Sequence, residues 1–193
     1  IDNIRFLQQR MQRPAVMDEE HLEEGKYMLL TLNRKAIVNN IEEMKKLIST
    51  IDGVARKAGI KVLAPLRGKA LGFVLAFKAY QDVADHQSGI MVVHPQGYLD
   101  FSYLAAHAMG VITDSGNVAE EATFNGVPCI TLNSYTEHLE TVTVGTNELV
   151  AEDPEKLQQA MEKIAKGEWK KAGIPDRWDG RSAERIVQII CGE

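Results

Sequence analysis

The chain has 193 residues, a formal net charge of -5 and a sequence pI near 5.6, with 45% hydrophobic and 25% charged residues. These values fit a globular chain that buries its own core, as one domain or as one domain with a helical arm. The acidic balance excludes a general nucleic-acid binder, which needs a basic footprint, yet leaves room for a local basic pocket.

Residues 1–25 are helical in character, with acidic clusters at Asp18-Glu19-Glu20 and Glu23-Glu24 and Gly25 as the stop. They read as a helical connector, and residues 26–193 as the domain proper. The run Tyr27 to Leu32 predicts a strand buried on both faces. A long helix is expected from about Val38 to Lys57, with Ile41, Met44, Leu47, Ile48 and Ile51 at helical spacing and Gly59 as its end. Then come a strand at Lys61 to Pro65, a helix at Lys69 to Ala84 and a strand at Gly89 to Val93. A helix at Tyr103 to Ala108 and a strand at Val111 to Thr113 follow, then a helix at Val118 to Phe124 and a strand at Pro128 to Leu132. Two short pieces, Val142 to Val144 and Glu148 to Val150, are expected to pair. A helix at Pro154 to Lys166 starts with Asp153 as N-cap and proline in its first turn. A loop at Gly167 to Arg181 leads to a last helix at Ser182 to Ile190. Strands alternating with helices predict an α/β fold: a parallel sheet between two helical layers, joined by right-handed crossovers.

The cysteines, Cys129 and Cys191, lack Cys-x-x-Cys spacing and indicate neither a zinc site nor a disulfide framework. His94, His107 and His138 also lack metal-ligand spacing. No apolar stretch is long enough to cross a bilayer and nothing reads as a signal peptide, so the expected setting is the reducing cytoplasm. Opening at Ile1 inside a helix-like sequence, the chain reads as a fragment of a longer protein.

In an open parallel sheet, ligands bind beyond the carboxyl ends of the strands. The most informative loop there is Thr113-Asp114-Ser115-Gly116-Asn117. Asn117 and Glu120 have the spacing of a capping box, and Gly116 permits close backbone approach. The free N–H groups of a helix start, backed by the helix dipole, suit a diphosphate, with the Ser115 hydroxyl as a further donor. Of Glu120 and Glu121, one can cap the helix while the other accepts from ribose hydroxyls. The same residues are also ordinary turn chemistry. The loop lacks the Gly-Lys-Ser/Thr ending of a P-loop, and Gly-x-Gly-x-x-Gly is absent, so no dinucleotide cofactor is expected. Arg34 and Lys35 follow the first strand, and Arg67 and Lys69 the second. Arg34 can fork onto a phosphate or simply be solvated. Phe101 can cover a nucleobase or belong to the core.

Three segments then carry a resemblance: Gly110-Val-Ile-Thr-Asp-Ser-Gly-Asn-Val-Ala-Glu-Glu-Ala, Val144-Gly-Thr-Asn-Glu-Leu-Val, and Trp178-Asp-Gly-Arg-Ser-Ala-Glu-Arg-Ile. In this order the chain resembles the C-terminal half of non-hydrolysing bacterial UDP-N-acetylglucosamine 2-epimerases, from about Gly25 to its end. The resemblance implies a Rossmann-like three-layer domain, one half of a glycosyltransferase-B type fold, with substrate in the cleft between the halves. It implies inversion at C2, giving the N-acetylmannosamine epimer by elimination and re-addition of UDP, with neither metal nor cofactor. Most acid–base carboxylates would belong to the absent N-terminal half, through which the full-length protein would form a homodimer. No nucleic acid or membrane is implied as a partner.

By the same resemblance Ser115 and Gly116 bind diphosphate, Glu121 the ribose, Phe101 lies near uracil, and Arg34 contacts ligand near the cleft. Several positions depart from the family's pattern. Asn33 replaces a histidine before Arg34, Asn117 replaces a glycine, and Arg67 replaces another histidine. His138 replaces an arginine that meets phosphate. Losing such a charge-assisted bond forfeits roughly 1.5–3 kcal/mol, on the order of tenfold to a hundredfold in affinity. Two alternatives stay open: a sugar transferase of the same two-domain architecture, and a binding relic that has lost catalysis.

Overall fold

Tyr27-Met-Leu-Leu-Thr is apolar almost without interruption, and all five residues are buried as strand β1 (Tyr27–Thr31). The computed structural model describes residues 1–83 and 87–192. Its other strands are β2 (Lys61–Ala64), β3 (Ile90–Val92), β4 (Gly110–Thr113), β5 (Cys129–Thr131) and β6 (Asn147–Leu149). All run parallel in the order β3-β2-β1-β4-β5-β6. The helices are α1 (Asp2–Gln8), α2 (Ala15–Glu19), α3 (Lys35–Val38), α4 (Ile41–Ala58) and α5 (Gly68–Val83). They continue with α6 (Tyr98–Ala106), α7 (Gly116–Phe124), α8 (Leu139–Thr143), α9 (Pro154–Ala165) and α10 (Ser182–Cys191).

The period-two geometry of a strand splits the core cleanly. Met28, Leu30, Val62, Ala64, Ile112 and Ile130 face a cluster filled by α4, α5 and α9. Tyr27, Leu29, Leu63, Val111 and Cys129 face the opposite cluster, filled by α2, α6 and α7. Truncating a central residue such as Leu29, fully buried, to alanine costs about 2–5 kcal/mol. The three-layer expectation holds.

Caps explain the sharpest boundaries. Asn40 accepts from the Glu43 amide to start α4, and Gly59, at φ 66°, ends it. Asp153 accepts from Glu155 and Lys156 to start α9, with Pro154 in the first turn. Because Asn40 caps there, the helix expected from Val38 is two helices, the short α3 and then α4. α6 begins at Tyr98, earlier than expected, because Gly97 already leaves the chain in position to turn. The helix expected at Lys69 to Ala84 is α5, and Ala84 itself lies outside the described residues.

The expected pairing of Val142–Val144 with the strand after it is wrong. That stretch is mostly α8, and β6 pairs in parallel with β5 instead. A buried polar lattice overrides the β-branched residues. Thr141 donates to the His138 carbonyl at 2.7 Å, Asn147 donates to Thr141 at 3.2 Å, and Thr131 donates to Asn147 at 2.7 Å. A Cβ at Gly145 would stand 2.7 Å from the Thr141 carbonyl oxygen, so the glycine of the Gly-Thr-Asn motif is a packing requirement.

Residues 1–25 hold α1 and α2. α2 ends at Glu19, ahead of Gly25, whose φ of 71° serves a later turn. The chain ends are stitched together: the Asp2 carboxylate accepts from the Ser182 and Ala183 amides at the start of α10. Asp179 takes Arg185 through both oxygens at 2.8 and 2.6 Å, and that guanidinium holds its pKa down to about 2. The Asp-Gly-x-x-x-x-Arg pattern thus anchors a helix. Among the described residues no helix is long and apolar enough to cross a membrane.

Candidate functional site

The sheet order reverses between β1 and β4, whose neighbouring carboxyl ends send their helices to opposite faces. A crevice opens at such a point and receives ligands in doubly wound folds. Thr31 and Thr113 seal its floor, their hydroxyl oxygens 2.7 Å apart and buried. Just above, one oxygen of the buried Asp114 carboxylate accepts from the backbone amides of Asn33 and Arg34, at 2.7 and 2.6 Å. The loop after β4 thereby holds the loop after β1 in place.

The turn Asp114-Ser115-Gly116 leads straight into α7. The Ser115 amide donates to Thr113 Oγ1 at 3.0 Å. Among the described residues, no protein group accepts from the next three amides, Gly116, Asn117 and Val118. They are the orphan donors of a helix start, at the positive end of its dipole. Gly116 has no left-handed φ, and a Cβ there would meet only His138 at 3.6 Å, an ordinary contact. The fold therefore does not require glycine at this position, whereas a group approaching the amides from outside would benefit from it.

One expectation at this turn is corrected. Asn117 does not cap the helix: Ser115, extended at φ -106° and ψ 124°, is the N-cap residue, without a side-chain cap bond. Asn117 lies inside the first turn and is exposed. Glu120 is consequently too far along to complete a capping box, and it pairs with His138 Nδ1 at 3.2 Å instead.

Two cavities flank the turn. The first, about 380 Å³, is lined by Asn33, Arg67, Gln96, Tyr98, Phe101 and Ser115, among others. Phe101 is half-buried and also packs on the β4-side core, so it belongs in part to the core while lining this cavity. The second, about 350 Å³, is lined by Arg34, Gly116, Asn117, Asn133, Tyr135 and His138, among others. Glu121 lies one turn further along α7, half-buried. Burial pushes its pKa up, and the Tyr98 hydroxyl beside it works against that rise. Burial and the Glu121 charge push the Tyr98 phenol up in turn.

The structure thus brings Arg34, Gly116, Asn117 and His138 to one side of the turn, and Asn33, Phe101 and Ser115 to the other. Sequence reasoning missed the roles of Asp114, Asn133 and Tyr135. Asn133 and Tyr135 follow β5 just as Ser115 follows β4, so the strand-end rule applied there would have found them. Among the described residues no group of three or more His, Cys, Asp or Glu gathers as a metal site.

Comparison with known proteins agrees with this fold. The family model for UDP-N-acetylglucosamine 2-epimerase matches residues 1–191. A UDP-N-acetylglucosamine 2-epimerase of Methanococcus maripaludis is 34% identical over 173 residues, 87% of this chain and 45% of the relative. The solved UDP-GlcNAc 2-epimerase of Methanocaldococcus jannaschii superposes with a TM-score of 0.75 at 32% identity, covering 92% of this chain and 49% of that one. The same enzyme in complex with UDP-GlcNAc and UDP gives 0.70 at 34% identity, covering 86% and 45%. The chain spans about half the length of these relatives. With its parallel order, its strand-end loops and a family match across nearly its whole length, the chain belongs to the UDP-N-acetylglucosamine 2-epimerase family.

Proposed function

We propose that this chain is the nucleotide-holding half of an enzyme that interconverts UDP-N-acetylglucosamine and UDP-N-acetylmannosamine at C2. The observation that carries the reading is the set of unpartnered amides at Gly116, Asn117 and Val118, open to the crevice between Ser115 and Arg34. Those amides and the Ser115 hydroxyl take the diphosphate, with Arg34 adding positive charge and the His138 ring lining the same cavity. Glu121 accepts from the ribose, and Phe101 lies against the uracil. A second Rossmann-like half supplies most of the acid–base groups and the homodimer contact, in keeping with the half-length match to relatives. The protein works in the cytoplasm and needs neither metal nor organic cofactor. Asn33 has no proton to exchange near neutral pH, so it orients substrate.

The test is titration calorimetry of UDP on the full-length protein. Ser115→Ala and Glu121→Ala should each weaken binding about tenfold, the scale of one lost charge-assisted bond. Incubating UDP-N-acetylglucosamine in deuterated water should place deuterium at C2. Undiminished affinity in both variants would remove the site, and transfer of the sugar to an acceptor without C2 exchange would replace epimerisation by transferase chemistry.

A further inference from the structure

Arg34 is held in an unusual way for a cation at an anion site. Its Nη1 donates to Asn133 Oδ1 at 2.7 Å, and its Nη2 donates to the Tyr135 hydroxyl at 2.9 Å. The guanidinium carbon stands 5.2 Å from the centroid of the Tyr135 ring, within cation–π range. Asn133 also donates to the Asp114 carbonyl at 3.2 Å, which ties this clamp to the turn before α7. All these partners are neutral. The neighbouring carboxylate, Asp114, is spent on backbone amides.

The chemistry of the holders decides what the cation can do. A carboxylate holder would cancel much of the charge that a phosphate is to feel. An amide oxygen, a phenol oxygen and a ring face fix the guanidinium plane while leaving its charge in place. A guanidinium has five N–H donors, and the clamp uses two of them. The remaining donors belong to a group lining the same cavity as Gly116 and Asn117. An arginine already ordered before binding loses little side-chain freedom when the anion arrives.

We infer that Tyr135 and Asn133 are positioning residues that aim Arg34 at the diphosphate of a nucleotide sugar. This rests on the nucleotide reading above, and it assigns to the loop after β5 the aiming of a cation carried by the loop after β1. Tyr135 is 57% exposed, so its replacement leaves the core intact.

The experiment is a double-mutant cycle on the full-length protein, with UDP and uridine as probes. Tyr135→Leu should weaken UDP about tenfold and Tyr135→Phe, which keeps the ring, about threefold, while uridine, which lacks phosphate, binds as before. In an Arg34→Ala background the Tyr135→Leu effect on UDP should shrink below about twofold. Asn133→Ala should behave like Tyr135→Leu. An equal loss in both backgrounds, or an equal loss for uridine, overturns the inference, because Tyr135 would then touch the ligand or merely support the fold. Wild-type affinity in Tyr135→Leu, with Ser115→Ala and Arg34→Ala still impaired, overturns it while the nucleotide reading stands. Failure of the unaltered protein to bind UDP overturns both.

Discussion

Replacing Asp114 with alanine tests the link between fold and site most directly. Its carboxylate, 7% exposed, takes the amides of Asn33 and Arg34 at 2.7 and 2.6 Å. Each such charge-assisted bond is worth roughly 1.5–3 kcal/mol net. Asn33 is exposed, so water takes over part of its loss, whereas Arg34 is half-buried. The sum for Asp114→Ala is therefore roughly 2–4 kcal/mol rather than the full total of two bonds. Asp114→Asn keeps an oxygen that can accept from both amides and forfeits only the charge, for about 1 kcal/mol. In urea, with a slope of about 2 kcal/mol per molar, the alanine variant should lose roughly 1–2 M in midpoint at unchanged slope. Amide exchange should quicken at Asn33 and Arg34 and stay as before in β5. A midpoint change worth less than about 0.5 kcal/mol, with unaltered exchange at those two amides, would refute the claim that Asp114 holds the β1 loop.

Glu121→Gln should trade binding for stability. Burial raises the folded-state pKa of Glu121 above its usual 4.5, so its stabilising contribution is present in acid and is lost as pH rises through the raised value. The glutamine variant should match wild type in acid and become the more stable of the two as pH rises toward 7 in urea titrations, while binding UDP more weakly; a wild type that gains on the variant as pH rises refutes this. Cys129 is fully buried and its thiol is pushed up to about 12, whereas Cys191 is exposed. A chromogenic disulfide reagent should therefore titrate one thiol in the folded chain and two in urea, and rapid reaction of both without denaturant would contradict the packing of β5.

Much of the scaffold was legible because local chemistry and tertiary demand agree. The apolar run at Tyr27–Leu30 could only be a strand covered on both sides, and Asp153-Pro154 could hardly be anything but a helix start. The reading failed where a local pattern was met by a stronger neighbour. Val142-Thr143-Val144 looks like a strand in isolation, but the bonds of Thr141 to His138 and of Asn147 to Thr141 decide for a helical turn. Asn117 and Glu120 imitate a capping box, but the Ser115 amide is already tied to Thr113, which starts the helix earlier and frees Glu120 for His138. The site divides in the same way. Ser115, Gly116 and Arg34 were visible because strand ends mark crevices. The clamp on Arg34 joins residues 99 and 101 positions apart, and no local signal encodes such a meeting.

A chain of net charge -5 can still attract a diphosphate, because screening confines the relevant charges to about 8–10 Å of the ligand. Of the acidic groups beside the turn, two are already engaged. Asp114 is bound to backbone amides and Glu120 faces His138. Beside the exposed Glu137 carboxylate, the same cavity offers the orphan amides at the α7 start and a guanidinium held by neutral partners. On the proposed reading these groups would hold two phosphates without regard to base or sugar, so any nucleoside diphosphate would satisfy them equally. Discrimination among bases would then fall to the other cavity, where Gln96, Tyr98 and Phe101 line the wall and offer one amide, one phenol and one ring face. Gln96 already gives its side-chain amide N–H to the His94 carbonyl at 2.7 Å, which leaves its amide oxygen as the acceptor for an imide N–H of the kind uracil carries and cytosine lacks.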